Sequence, residues 1–242
     1  MPAKFLAFFI LFSLTTSAWC EDLFLRDNLR RAKVGDYIVT SQNKNYTLLH
    51  IYDKTDHSLT IEEITAPAQR IPKSFSSWKD WVAQKAPGNT SWVMFKLDIS
   101  KGQIVNYFSL TKNAWFDLSQ SNIFLTTLLN LKFNRVPVEN RRLLGMAARV
   151  NSPENEAFWQ PRMIFNGNEV PGVTFEAWQT RWPADGSDLS GKTIEVFIPR
   201  ENDCYPSYFP YWLQIKGMIG NAKIRIIDAG NHMLSPAPPQ PK

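Results

Sequence analysis

The sequence has few of the residues that commit a protein to a chemistry, with two cysteines, Cys20 and Cys204, and three histidines among 242 residues. Hydrolytic catalysis usually needs a histidine base or a pair of carboxylates. The sequence contains no common hydrolase, metalloprotease or phosphate-loop motif, and its cysteines fit no zinc-site spacing. We therefore predict that the chain is not an enzyme and that it uses neither a metal ion nor another cofactor.

Long hydrophobic runs are missing after the first residues. Near the start of the sequence, one positive charge at Lys4 is followed by an apolar stretch at 5–14 and then by small and polar residues. This is the three-part pattern of a secretory signal peptide. The apolar stretch is shorter than the roughly 20 residues that cross a hydrocarbon core. We expect residues 1–19 to be a signal peptide and the protein to be exported to the periplasm or cell envelope. An uncleaved N-terminal anchor is the alternative.

The fate of Cys20 depends on the cleavage site. An unpaired thiol is unusual in an exported protein, so Cys20 and Cys204 could form a disulfide if Cys20 survives processing. Trp19 stands where a lipoprotein signal needs a small residue, which argues against a lipid anchor on Cys20.

A strong charge imbalance is also absent, since the net charge is +5 and dispersed. The densest basic cluster lies at residues 26–33, and a solvated face is a simpler explanation for it than a polyanion site. We predict no nucleic-acid partner, while contact with a membrane surface stays open.

What the sequence has in quantity is alternation with a period of two, which indicates β-strands. Residues 91–99 and 103–110 predict a hairpin that turns at Gly102, and 113–118 a third strand. A bulge is expected near Glu62 and Glu63, because Leu59 and Ile61 share a face that Ile64 does not. Further strands are predicted at 36–40, 46–52, 58–65, 172–182, 192–198, 208–215 and 222–227.

Helices are predicted at 77–85, with Ser76 or Ser77 as the N-cap, at 122–133 and at 140–150. The helix at 122–133 is apolar over most of its circumference, so it must be buried or cover an apolar surface. Residues 20–234 are expected to form a single β-rich domain, and 235–242 a disordered, proline-rich tail. The predicted fold class is mainly β (α+β), a curved antiparallel sheet or half-barrel covered by a few helices.

Several predicted strands carry large apolar side chains on both faces, whereas a sheet with one wet face should alternate apolar and polar residues. Packing on both sides would explain this pattern, and so would a concave face that closes a cavity for an apolar ligand. Under the cavity interpretation, the candidate ligand-binding residues are Trp92, Met94, Tyr107, Trp178, Trp182 and Trp212.

The order of elements resembles the LolA/LolB-like family of periplasmic lipoprotein carriers. The segments that carry the resemblance are 46–52, 91–98 and the apolar helix at 122–133. The resemblance implies a strongly curved antiparallel sheet, capped by helices around an apolar cavity, and a role in sorting lipoproteins to the outer membrane. It lies in architecture and not in a specific motif, and the segment 199–212 has no counterpart in that family.

The leading hypothesis is an envelope or periplasmic protein that binds an apolar ligand, either a lipid or a lipoprotein acyl chain. The first alternative is a carbohydrate-binding or adhesion module that uses exposed aromatic rings. The second is a hydrolase, which would need Cys204 near His50 or His57, or two carboxylates brought together by the fold. Candidates for such a pair are Glu62, Glu63, Glu176 and Glu195.

Overall fold

The computed structural model describes residues 22–116, 123–142, 158–202, 204–217 and 221–237. The predicted signal peptide, Cys20, most of the predicted helix at 140–150 and the last five residues lie outside this described part.

One sheet of 14 strands organises the described chain, in the order β1-β8-β11-β12-β13-β14-β2-β3-β4-β5-β6-β7, with β9 and β10 beside β14. All pairings are antiparallel except the short contact between β9 and β14, so the fold is mainly β, as the alternation predicts. The strands are β1 Asp22–Phe24, β2 Tyr37–Gln42, β3 Asn45–Lys54, β4 Ser58–Pro67, β5 Ser91–Asp98, β6 Gln103–Ser109, β7 Ala114–Phe116, β8 Lys132–Arg135, β9 Ile164–Phe165, β10 Asn168–Glu169, β11 Phe175–Arg181, β12 Thr193–Pro199, β13 Trp212–Lys216 and β14 Asn221–Gly230.

Within the described residues, three α-helices lie against this sheet. They are α1 Leu25–Asn28, α2 Trp78–Ala83 and α3 Ile123–Asn130, with short 3-10 turns at Leu29–Arg31, Ala68–Arg70 and Val138–Asn140. Helix α2 begins at Ser77, whose hydroxyl accepts a hydrogen bond from the Asp80 amide, which makes Ser77 the N-cap.

The sheet is curled, because strands far apart in its order share one core. Phe95 on β5 and Trp178 on β11 belong to the same buried cluster, although seven strand spacings separate their strands. In a flat sheet that distance would be roughly 33 Å. The curl brings both ends of the sheet toward α1 and α3, which supply Leu25, Leu128 and Leu129 to the cluster.

We call the face of β2–β5 that bears Leu49 and Phe95 the inner face, and the opposite face the outer face. The outer face is covered by α2, where Trp78 and Trp81 pack against Leu48 and Ile64. The inner face is covered by α1 and α3. The apolar residues on both sides of these strands therefore reflect two covering layers.

The predicted bulge at Glu62 and Glu63 is wrong. These residues pair in unbroken register with His50 and Leu49, and the irregularity lies in β3 between Ile51 and Asp53. Ile64 differs in face from Leu59 and Ile61 because β4 has a covered surface on each side, so regular alternation suffices.

The apolar helix is shorter than predicted, since α3 ends at Asn130 and Phe133 lies in β8. Pairing with β1 and β11 draws Lys132–Arg135 into the sheet. Phe133 is fully buried there, so its hydrophobicity serves the sheet and not the helix.

The structure differs from the predicted disordered tail at its first residues. Ser235 donates a hydrogen bond of 2.6 Å to Glu62 Oε1, and the Ala237 carbonyl accepts one from the Tyr52 hydroxyl. The buried carboxylate of Glu62 thus fixes the C-terminal segment on the outer face. Within the described residues, no helix is long and apolar enough to span a membrane.

Gly88 and Gly172 provide a matched test of this packing. Both have a positive φ, +85° and +74° respectively, but a Cβ at Gly88 would lie 2.4 Å from the Arg70 carbonyl oxygen, whereas one at Gly172 would meet nothing within 4 Å. We expect Gly172→Ala to lower the free energy of unfolding by about 1 kcal/mol. Gly88→Ala should lower it by roughly 1–3 kcal/mol more, because the backbone must move. Equal losses in urea denaturation would contradict the close contact between residues 70 and 88.

Candidate functional site

A cavity of about 500 Å³ lies between the inner face and the two covering helices. This volume is within the range of small-molecule sites. Helices α1 and α3 form one wall, and six consecutive strands from the middle of the sheet, β13, β14 and β2 to β5, form the other. The residues that line it are Leu25, Leu29, Thr40, Gln42, Asn43, Asn45, Thr47, Leu49, Glu63, Thr65, Phe95, Phe124, Leu125, Leu128, Leu129, Tyr208, Phe209, Pro210, Leu213 and Ile224.

The cavity changes from polar to apolar along the strands. The exposed β2–β3 turn, with Asn43 and Asn45, forms its polar end. One step inward, the hydroxyls of Thr47 and Thr65 lie 3.1 Å apart. The next inner-face level contains Leu49 and Glu63, roughly 7 Å further along. The leucines of α1 and α3 line the cavity opposite these strands. The cavity is therefore polar at one end and apolar at the other, as an amphiphile is.

Glu63 lies at the boundary between the polar and apolar parts. Its side chain is only partly exposed, and it forms no hydrogen bond or ion pair with any residue in the described part of the chain. Burial raises the pKa of its carboxyl, because a low-dielectric site disfavours the charged form. Tyr107 lies on β6, beyond β5, and its pKa is raised by burial and then by the charge of Glu63.

Asn130 fixes α3 in its position over the cavity. Its amide Nδ2 donates to the carbonyls of Lys101 at 3.0 Å and Gly102 at 3.2 Å, in the β5–β6 turn. Its Oδ1 accepts a hydrogen bond from Arg26 of α1. One side chain therefore joins both covering helices to the sheet, and Gly102 leaves room for it, since a Cβ there would lie 2.8 Å from Nδ2.

Glu62, adjacent to Glu63, belongs to a different site. On the outer face its carboxylate lies 2.8 Å from His50 Nδ1 and accepts a hydrogen bond of 2.7 Å from the indole of Trp92. His50 Nε2 is buried without a hydrogen-bond partner among the described residues. Because neighbouring strand residues face opposite sides, Glu62 and Glu63 cannot act together as a catalytic pair.

None of the six side chains proposed from the sequence lines the cavity. Trp178 and Trp182 are 4% and 3% exposed and fill the core beneath the inner face. Trp182 reaches the cavity wall only indirectly, by stacking on Phe124 at 5.5 Å.

The other four candidates are also spread over the structure. Trp92 packs against the outer-face core, and Met94, which pairs with Glu62, is fully buried. Tyr107 lies beside the inner-face core. Trp212 packs against Trp159 in a third cluster, and its indole nitrogen is buried without a partner among the described residues. The structure does not bring these six residues together.

Cys204 is exposed and has no disulfide partner among the residues described. It lines a second cleft of about 520 Å³ with Asp36 and His232. His50 and His57, the partners that the hydrolase hypothesis required, do not line this cleft. Cys204 and His232 share no hydrogen bond. Over the described ranges, no group of three or more His, Cys, Asp or Glu residues is placed to hold a metal ion.

The fold places the protein in a structural class, that of curled antiparallel sheets whose inner face is covered by helices. The sequence profile of the CT021 protein family matches residues 47–171, just over half of the chain. The chain therefore belongs to the CT021 protein family. The matched region includes most of β3, all of β4 and helix α3, hence Glu63 and Asn130.

The 2.0 Å structure of the hypothetical protein CT021 from Chlamydia trachomatis has a similar fold, with a TM-score of 0.66. It shares 20% sequence identity, and the alignment covers 91% of this chain and 98% of that one. No curated protein matches the sequence. The comparisons give the CT021 family and not the LolA/LolB-like carriers, so the carrier resemblance stays a prediction.

The isolated carboxylate of Glu63 predicts a stability change with pH. Its pKa is raised above 4.5 in the folded chain, so the folded state binds its proton more tightly than the unfolded state does. The resulting loss of stability is absent below about pH 4.5 and grows as the pH rises through the raised pKa of the folded state. We expect Glu63→Gln to unfold at a higher urea concentration than the wild type at pH 7, with the gain shrinking as the pH falls toward 4.5.

The matched control for that experiment is Glu169→Gln, because Glu169 is exposed and its one ion pair with a described residue, Arg162, is 3.9 Å long. It should leave the urea midpoint unchanged at both pH values. A Glu63→Gln variant less stable than the wild type at pH 7 would contradict the assignment of Glu63 as an uncompensated charge.

The role of Asn130 can be tested by hydrogen exchange. Asn130→Ala leaves the carbonyls of Lys101 and Gly102 without its amide, a loss of about 1–3 kcal/mol. We expect the amides of α3 to exchange roughly tenfold faster or more. Asn168→Ala is the control, since exposed Asn168 bonds only to the nearby Asn166 carbonyl. Unchanged exchange in α3 would show that Asn130 does not hold the helix.

Proposed function

We propose that this protein is an exported envelope or periplasmic protein that binds an apolar or amphipathic ligand, such as a lipid or a lipoprotein acyl chain, between its curled sheet and helices α1 and α3. The observation that carries the proposal is the cavity itself, with its apolar wall of leucines and its polar end at the β2–β3 turn. The predicted signal peptide supports the location.

The covering helices support the proposal of ligand binding because a cavity separates part of them from the strands of the inner face. Leu25, Leu29, Leu128 and Leu129 are buried in the core and also line the cavity. An alkyl chain between these side chains and Phe95 would be removed from water, which contributes about 0.8 kcal/mol per methylene before the cost of association. A dodecyl chain should therefore bind with a Kd of about 1–100 µM.

The carbohydrate-binding alternative has less support. It needs exposed rings arranged as a flat stacking surface, and Trp178 and Trp182 are buried in the core. Trp159 and Trp212 are neighbours, but their rings are inclined by 67° and do not form a common plane. The hydrolase alternative stays a prediction without a site to support it.

The proposal is tested by blocking the cavity. Ile224 on β14 lines the cavity, and Ile227 on the same strand packs against the outer-face core. We expect the wild type to raise the fluorescence of Nile red, an uncharged apolar dye, in a saturable way that dodecanol reverses. Ile224→Trp should weaken the binding of both compounds by tenfold or more, because the indole occupies the cavity, whereas Ile227→Trp should retain it.

Two results would contradict the proposal. One is the absence of saturable dye binding to the folded wild type. The other is equal binding by the Ile224→Trp and Ile227→Trp variants, which would place the dye elsewhere.

A further inference from the structure

The charge of the cavity restricts the ligand that it can hold. Among the described residues that line it, Glu63 is the only aspartate, glutamate, lysine, arginine or histidine. No lysine or arginine of the described chain pairs with Glu63, and burial is the one cause of its raised pKa. A fatty-acid carboxylate placed at the polar end would therefore meet a like charge.

The neighbours of Glu63 confirm that nothing within the described sheet compensates it. On the inner face it lies between Leu49 of β3 and Val93 of β5. The charge of Glu63 contributes to the raised pKa of the Tyr107 phenol, after burial. Helices α1 and α3 present leucines to the cavity, and the one basic residue of α1, Arg26, is bound to Asn130 and Asp27.

The contrast with Glu62 shows what Glu63 lacks. Glu62 is fully buried, and His50, Trp92 and Ser235 all contact its two carboxylate oxygens at 2.6–2.8 Å. A buried carboxylate is ordinarily satisfied in this way. Glu63 is only partly exposed, lines the cavity, and has no such partner among the described residues. A donor from outside the described chain would complete it.

We propose that the cavity selects amphiphiles with a protonated amine at the polar end, and that the Glu63 carboxylate is the counter-ion for that amine. This inference rests on the proposed function. The position of Glu63 fits it, because the carboxylate lies between the threonine level and the apolar wall, where the head of an amphiphile meets its chain. The alkyl chain would then lie against the leucines of α1 and α3, and the threonine hydroxyls would contact the head.

The test compares three ligands with a chain of 12 carbons, dodecylamine, dodecanol and dodecanoate. Each is used at pH 7 at a concentration where it is monomeric in solution, and its affinity is measured by the displacement of Nile red. We expect the amine to bind about tenfold or more tightly than the alcohol, since hydrogen bonds between charged groups are the stronger kind. Dodecanoate should bind more weakly than the alcohol.

Three variants identify the source of that preference. Glu63→Gln should reduce the ratio of amine to alcohol affinity to nearly one, because the amide carries no charge. Glu63→Asp should restore part of the ratio, which a purely structural role of the residue would not do. Glu169→Gln changes an exposed residue that does not line the cavity and should keep the wild-type ratio.

The possible failures are distinct. If none of the three ligands displaces the dye, the proposed function itself fails. If all three bind with similar affinity, or if the preference for the amine survives in Glu63→Gln, the cavity binds apolar chains but the role assigned to Glu63 is wrong.

Discussion

Neighbouring residues of a β-strand face opposite sides of the sheet, and in this protein both sides of the central strands are covered. This constraint determines which environment each side chain of the central strands occupies. Strand β4 must supply Ile64 to the layer under α2 and Ile61 to the core under α1 and α3. It must also divide its two consecutive glutamates between those environments. The curl of the sheet then brings α1 and α3 over the inner face, where a cavity lies between the helices and the strands.

The two environments treat a carboxylate differently. On the outer face, Glu62 binds a histidine, a tryptophan and a serine, and so connects three separate parts of the chain. On the inner face, Glu63 has a raised pKa and no such partner among the residues that the structure describes. A buried charge without a partner costs stability, and for this reason we propose a ligand, and not folding, as the role of Glu63. This is the physical basis for placing function on the inner face.

Much of the fold follows from local pattern. The β5–β6 hairpin, the strand after it and helix α2 with its Ser77 cap all occur where alternation and capping predict them. The end of α3 was not predictable in this way, because Leu131 and Phe133 continue the apolar pattern. What stops the helix is the pairing of Lys132–Arg135 with β1 and β11, which are distant in sequence.

The site was harder to predict than the fold. Trp178 and Trp182 were predicted from the sequence to bind a ligand because their rings are large and apolar. Large rings also contribute most to cores, and these two lie in the core. The cavity is lined instead by threonines, leucines and one glutamate from separate parts of the chain. Periodicity indicates which residues share a face, and it indicates that Glu62 and Glu63 are separated. Periodicity does not indicate on which face of the sheet a cavity lies between the strands and the covering helices.

The central claim is that an alkyl chain lies between the helices and the inner face. The most direct measurement is a set of intermolecular nuclear Overhauser effects between bound dodecanol and the methyl groups of the protein. The account predicts contacts from the chain to Leu25, Leu128 and Leu213, which line the cavity from α1, α3 and β13. Contacts confined to the Trp159 and Trp212 surface, or none at all from a bound ligand to these leucines, would contradict it.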